Sequence, residues 1–433
     1  MSARRSILHT LSLATVFRLV RLALSFGLTC LLARHLGRSG FGEIGVAMAV
    51  VSILVCIGEL GFGRYTVREL VRQPDEQADV LGNTILARVI VSVVLFAGLM
   101  LWIVFAQPEG AILLSVYALQ LLTHPSTEVF AWLEANDRVQ SMVTAQFTGF
   151  LVSAACIAVG IWMKAPLWFF AFTYALEGWI FIILCGVVFR QNGGRVRFAA
   201  FRWSRALQLI SRSWPELASQ AALLLLFRLD IAMIQWLRGS EEAGIYSAAV
   251  RVSEMAYFVP GVLATLFLPR LMASRQNEPE YHRRVVDYLS ASVVLALVVA
   301  IGLWLTAPLL PLAFGSGYER SAEMLRVHAW AFIPYAVGVA RTQILTVEDR
   351  LAANLSSVVL AVVINAALNL VWIPVHGGLG AAWATLAAYT AAWVLGTYLA
   401  PGLRTHVSGF LTRAVMGLPR FTLLQARSLL RSS

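Results

Sequence analysis

An all-α integral membrane protein, with about twelve transmembrane helices in two six-helix bundles, is the fold class this sequence predicts. Hydrophobic residues fill 59% of its 433 positions. Charged residues fill only 13%, against roughly 25% in a soluble chain. Windows of about 20 apolar residues, the length that crosses a bilayer as a helix, recur along the chain.

The first window, 7–33, is too long for a signal peptide, carries Arg18 and Arg21 in its middle and lacks an A-x-A cleavage site, so it reads as a retained helix. The second, 40–63, follows a glycine-rich turn, and the third, 80–106, contains Arg88. Windows four to six lie at 110–133, 141–163 and 166–189; the sixth opens on Phe169, Phe170, Phe172 and Tyr174 and carries Glu177. An aromatic cluster at a helix start is the signature of an interfacial belt. The seventh, 207–237, includes LLLLFRLDIAMIQW, with Arg228 and Asp230 two residues apart, and the eighth, 243–272, carries Arg251 and Glu254. The last four are 285–314, 322–347 with Arg341, 352–374 and 379–401. The organisation expected is an N-terminal bundle over 1–189, a cytoplasmic linker over 190–206, a C-terminal bundle over 207–402 and a basic cytoplasmic tail over 403–433.

Of the 34 basic residues, most fall between windows on the side shared by both termini, which the positive-inside rule makes cytoplasmic. The net charge of +11 is largely this topology signal plus the tail, so nucleic-acid binding is an unneeded reading. The linker RQNGGRVRFAAFRWSR and the tail are expected against anionic headgroups, at about 1 kcal/mol per basic residue near the surface. Cys30, Cys56, Cys156 and Cys185 all lie inside windows, and no pair shows metal spacing. There is no H-E-x-x-H, Walker loop or G-x-S-x-G. External loops of a few residues leave no room for a catalytic domain. No cofactor is expected.

An internal repeat organises the chain. LLARHLGRSGFGEIGVAMAV and AMIQWLRGSEEAGIYSAAVRV place Gly37 and Gly42 at the same offset as Gly239 and Gly244. Glycine there permits positive φ and close helix approach. Six windows per half make the repeats parallel, which suits two bundles facing across a cleft.

Three runs then carry a resemblance: ARHLGRSGFGEIGVAMAVVSILVCIGELGFGRYTVREL, RLDIAMIQWLRGSEEAGIYSAAVRVSE, and INAALNLVWIPVHGGLGAAWATLAAY with Asn365, Asn369, Pro374, Gly377 and Gly380. They resemble the polysaccharide-biosynthesis branch of the multidrug/oligosaccharidyl-lipid/polysaccharide exporter superfamily, the O-antigen-type flippases. The resemblance implies a flippase that moves an undecaprenyl-diphosphate-linked oligosaccharide from the inner to the outer leaflet of a bacterial inner membrane. It also implies polysaccharide polymerase or chain-length proteins as partners, alongside the lipid-linked substrate and the membrane lipids. Relatives that flip the peptidoglycan precursor have two further helices.

The residues point the same way. Windows one and three hold Arg18, Arg21 and Arg88 and no acid, and Arg341 lies near the cytoplasmic end of window ten. Guanidinium grips phosphate oxygens bidentately and stays charged, so these four, with Arg228, are the expected diphosphate ligands. The alternative for each is a structural pair with Glu59, Glu128, Glu177 or Glu254. Asp230 is matched in depth with Arg251 and Arg228 with Glu254, but positions two apart on a helix point to nearly opposite sides, so only one of the two faces the eighth window: the expected pair is Asp230 with Arg251, leaving Arg228 to the cleft. Asp230 and Glu177 are also candidates for proton or sodium coupling, against an electrophoretic drive by the membrane potential. A cation-coupled multidrug exporter and a membrane-embedded glycan polymerase are the competing functions.

Overall fold

A computed structural model describes residues 2–108, 110–348 and 350–395, with side chains from residue 20 onward except at 351–353 and 394–395. The basic tail and the side chain of Arg18 lie outside that description. Every regular element among the described residues is helical. Eight helical runs among the described residues are long and apolar enough to cross a membrane, and the first, Val20–Arg72, holds the second expected window and the later part of the first. The windows at 110–133 and 322–347, and the described part of 379–401, also fall on helix.

Contacts divide the chain into two compact units. The first comprises the residues up to Ser247 together with Leu312–Tyr318. It starts with α1 (Ser2–Gly58), whose first two windows form one run interrupted at Gly37, where φ is 69° and ψ −177°. Gly61, at φ 68°, then turns the chain into α2 (Phe62–Arg72). Phe62, Thr66 and Leu70 recur every fourth residue and are buried, while Arg64, Arg68 and Arg72 occupy the other faces. The bundle continues through α3 (Gln77–Ala106), α4 (Ala111–Thr123), α5 (Glu128–Ala135), α6 (Val139–Trp162), α7 (Leu167–Gln191) and α8 (Trp203–Arg238), and enters α9 (Ser240–Met255). One apolar core joins Leu32, Val51, Leu121, Ile157 and Phe170, and a second joins Leu70, Leu81, Trp132 and Phe189.

The fourth window is expected to be continuous and is not. Between α4 and α5 the chain makes a tighter 3-10 turn, His124–Thr127, containing Pro125. Proline removes a backbone donor and clashes with the preceding helical turn, so the helix breaks there. The basic linker is held against α3. Asn83 donates to the Ala200 carbonyl at 3.1 Å and accepts from the Arg202 N–H at 2.9 Å, and Arg197 pairs with Asp79 at 3.1 Å. Phe198 and Trp203 remain exposed beside it.

The second unit comprises Ala248–Pro311 and the residues from Glu319 onward. It holds the rest of α9, then α10 (Phe258–Ser274), α11 (Glu278–Thr306), the first residues of α12 (Leu310–Phe314), α13 (Glu319–Val347), α14 (Leu351–His376) and α15 (Gly378–Tyr389), which runs on as a π-helical turn, Thr390–Leu395. Its core packs Phe267, Leu271, Tyr288 and Leu289 against Ala340 and Ile344.

Candidate functional site

The break at Pro125 is what builds the site in the first unit, because it turns His124 and Glu128 toward Arg88 on α3. Arg88 Nη1 donates to Glu128 Oε1 at 2.6 Å, and the two side chains are 4% and 1% exposed. Arg88 Nη2 lies 2.9 Å from His124 Nδ1. A guanidinium has donors only, so Nδ1 accepts, and the neutral imidazole carries its proton on Nε2. That nitrogen is 3.5 Å from Glu59 Oε1 at the end of α1. The chain of contacts is therefore Glu59, His124, Arg88, Glu128, drawn from four separate elements.

These groups line a cavity of 580 Å³ with Arg64, Glu134, Gln146 and Gln220. Two aromatic rings, Phe130 and Phe181, share the wall with centroids 4.2 Å apart. Buried Glu128 Oε2 and Arg88 Nε have no hydrogen-bond partner among the described residues. An unmet buried polar atom costs about 1–3 kcal/mol, so both atoms favour a polar ligand. Among the charged lining residues, Glu59, Glu128 and Glu134 outnumber Arg64 and Arg88. Arg64 and Gln220 are in turn tied to Glu216 on α8, at 4.0 and 2.9 Å.

Of the other expected arginines in this unit, Arg21 pairs with Glu177 on α7 at 2.6 Å and lies over the Phe150 ring, 5.4 Å from its centroid. Two of the carboxylates named as structural partners thus hold two of the arginines. Arg228 is half-buried. Asp230 is 4% exposed and accepts a hydrogen bond from Tyr246 at 2.7 Å. Depth matching along the hairpin considered charged residues alone, so Tyr246 was not among its candidates: a hydroxyl carries no charge to find in a sequence.

The repeated glycines sit where expected. Gly37 and Gly239 have φ of 69° and 86°. A Cβ on Gly42 would lie 1.9 Å from the Ser240 carbonyl, and one on Gly244 1.9 Å from the Arg38 carbonyl. The contact is reciprocal, backbone against backbone, with Ser39 and Ser240 hydroxyls 2.9 Å apart beside it.

In the second unit, Arg341 is 2% exposed and donates to Ser357 at 2.9 Å and Asn354 at 3.5 Å. Arg251 and Glu254 are half-buried. Sequence reading named Asn365 and Asn369 only as marks of the family resemblance, and passed over Thr385 and the pair Tyr257 and Tyr335. Asn369 donates to Asn365 at 3.0 Å and Asn365 to Thr385 at 3.4 Å, all three buried. Tyr257 and Tyr335 stack with centroids 4.0 Å apart.

The sequence matches, over residues 8–273, the family model described as "Polysaccharide biosynthesis protein". It is 26% identical over 349 residues to the succinoglycan biosynthesis transport protein ExoT of Rhizobium meliloti (strain 1021), covering 74% of this chain and 67% of that one. Among solved structures it superposes on the lipid II flippase MurJ in an inward closed conformation, with TM-score 0.76, 13% identity, and coverage of 95% of this chain and 93% of that chain. An inward-facing MATE multidrug resistance transporter of the MOP superfamily gives TM-score 0.74, 14% identity, and coverage of 90% and 96%. At these identities the structural likeness is one of fold.

Proposed function

This chain belongs to the polysaccharide biosynthesis protein family, and from that premise we propose that it is a flippase. Its substrate is an undecaprenyl-diphosphate-linked oligosaccharide, moved from the inner to the outer leaflet of a bacterial inner membrane by alternating access, for surface polysaccharide assembly. It transports and makes no covalent change. The observation that carries this reading is the 580 Å³ polar cavity inside a membrane-crossing helical unit. Three carboxylates there accept hydrogen bonds from sugar hydroxyls, and two phenyl rings offer apolar faces. Charged groups at bilayer depth are expensive and mark substrate pathways.

In this proposal Arg21 and Arg88, together with Arg18, Arg228 and Arg341, meet the diphosphate during the cycle. Glu177 and Glu128 neutralise the first two when substrate is absent, and phosphate oxygens compete for the same guanidinium donors. Lysine at position 88 should only partly support flipping, because a point charge cannot grip bidentately. Flipping at the wild-type rate by Arg88→Gln protein of normal abundance would remove Arg88 from the pathway. Moving the diphosphate outward down an inside-negative potential releases about 2.3 kcal/mol per charge per 100 mV. Collapse of the potential in vesicles should therefore slow export. Undiminished export would favour proton or sodium coupling, with Asp230 and Glu177 as the sites.

The acidic balance of the cavity supports a second reading, a cation-coupled multidrug exporter. Deletion in the native host, followed by leaflet-resolved analysis of lipid-linked glycans, separates the two. Accumulation on the cytoplasmic side is the expected result; drug hypersensitivity with normal glycan would favour the exporter.

A further inference from the structure

The first unit contains a second pocket, of 320 Å³, between α1 and α8. Its α1 wall is Ser52, Val55, Cys56 and Glu59, and its α8 wall is Gln220, Leu223, Leu224 and Phe227. Each set follows the spacing i, i+3, i+4, i+7, so each is one face of a helix. On one side of this stretch α8 packs against the turn that follows α1, and on the other against α1 itself. A Cβ on Gly61 would lie 2.7 Å from the Ser213 carbonyl, and one on Gly45 would lie 3.9 Å from Ile231. The pocket lies between those contacts, and α8 contains Pro215 shortly before it. Proline inside a helix is a standard cause of bending.

The pocket is graded in polarity. Glu59 and Gln220 occupy one end and also line the 580 Å³ polar cavity, so the two spaces adjoin. From Glu59 back to Ser52 the α1 wall rises about 10 Å, at ~1.5 Å per residue. Apart from Ser52 that stretch offers only Val55, Cys56, Leu223, Leu224 and Phe227. A polar chamber opening into an apolar slot of this length has the form of a lipid with a large polar head. We propose that the slot between α1 and α8 seats the phosphate-proximal isoprene units of the polyprenyl substrate while its glycan head occupies the adjoining cavity. The inference rests on the transport reading above and adds to it where the tail is held. Branched Val55, Leu223 and Leu224 together with the Phe227 ring make a broad, uneven wall, which suits a methyl-branched chain better than a slender acyl chain.

The test uses full-length protein in phosphatidylcholine nanodiscs, titrated with radiolabelled undecaprenyl phosphate, with phosphatidylglycerol as competitor. Leu224→Trp and Val55→Trp fill the slot from opposite walls, so misfolding of one still leaves the other. Each is expected to weaken binding by about tenfold or more, while Leu224→Ala changes it by less than about threefold. Unchanged binding in the folded tryptophan variants overturns the proposal, as does a wild-type protein that fails to bind the probe. Equal competition by phosphatidylglycerol would assign the slot to ordinary acyl chains and also overturn it. Wild-type flipping by both tryptophan variants in cells defeats the slot but leaves the transport reading intact. Probe binding that the tryptophans abolish, in a protein whose deletion leaves lipid-linked glycan normally distributed, would keep the slot and sink the transport reading.

Discussion

One buried polar cluster in each unit is satisfied in a different way. In the first, the Glu59, His124, Arg88 and Glu128 contacts are built around the 2.6 Å charged pair of Arg88 and Glu128, with the neutral His124 ring linking it toward Glu59. In the second, Asn365, Asn369 and Thr385 form a neutral cluster at 3.0 and 3.4 Å. Charge makes the first arrangement responsive, because a ligand with phosphate oxygens or hydroxyls competes for the same donors and acceptors. A neutral amide cluster is attracted less strongly to a charged ligand and fixes helix register instead. Under the proposed function, that difference assigns substrate chemistry to the first network and structural locking to the second.

Substitution tests that difference, beginning with the largest expected effect. Arg88→Gln strands a carboxylate that is 1% exposed, and breaking a buried pair costs about 3–5 kcal/mol. Thermal unfolding in detergent should show that loss, and adding Glu128→Gln should recover much of it. Tyr246→Phe is intermediate. It removes a neutral donor from buried Asp230, and a hydrogen bond to a charged group contributes about 1.5–3 kcal/mol. Asn365→Ala removes neutral contacts at about 1 kcal/mol each, and flipping per folded molecule should be unaffected. If it destabilises as much as Arg88→Gln, or stops flipping at normal abundance, the contrast between the units fails. The smallest effect belongs to Arg38→Gln, whose partner Glu241 lies 2.9 Å away with the side chains 42% and 59% exposed. Exposed pairs contribute about 0.2–1 kcal/mol, and added salt should erase the difference.

Much of the fold was legible in the sequence. A bilayer imposes a length and a polarity on every helix that crosses it, so apolar windows read as helices without any knowledge of packing. The turn glycines were legible for a similar reason, since positive φ, found at Gly37 and Gly239, is a local demand that glycine meets without steric cost. The repeat offset also flagged Gly42 and Gly244, though only the packed helices show that a Cβ on each would run into a carbonyl of the facing segment.

The site was half legible. Composition and position picked out Arg21, Arg88 and Arg341 as charges at bilayer depth, and the list of alternative partners included Glu128 and Glu177. Which carboxylate meets which arginine is settled by helix rotation and depth between segments 40 and 156 residues apart. Neutral partners such as Tyr246, Ser357 and Asn354 leave no mark in a charge pattern, and His124 reads as one scattered histidine until Pro125 breaks the helix beside it.

By itself the sequence determined the membrane class, the helical windows and the glycine turns, because each follows from local chemistry or from the solvent. Only the tertiary structure decided the partner of each buried charge, the polar cavity and the slot between α1 and α8. Those depend on distances between side chains far apart in the chain, and a rotation of one helix by a single residue, about 100°, would have assigned different partners to every buried charge on that helix.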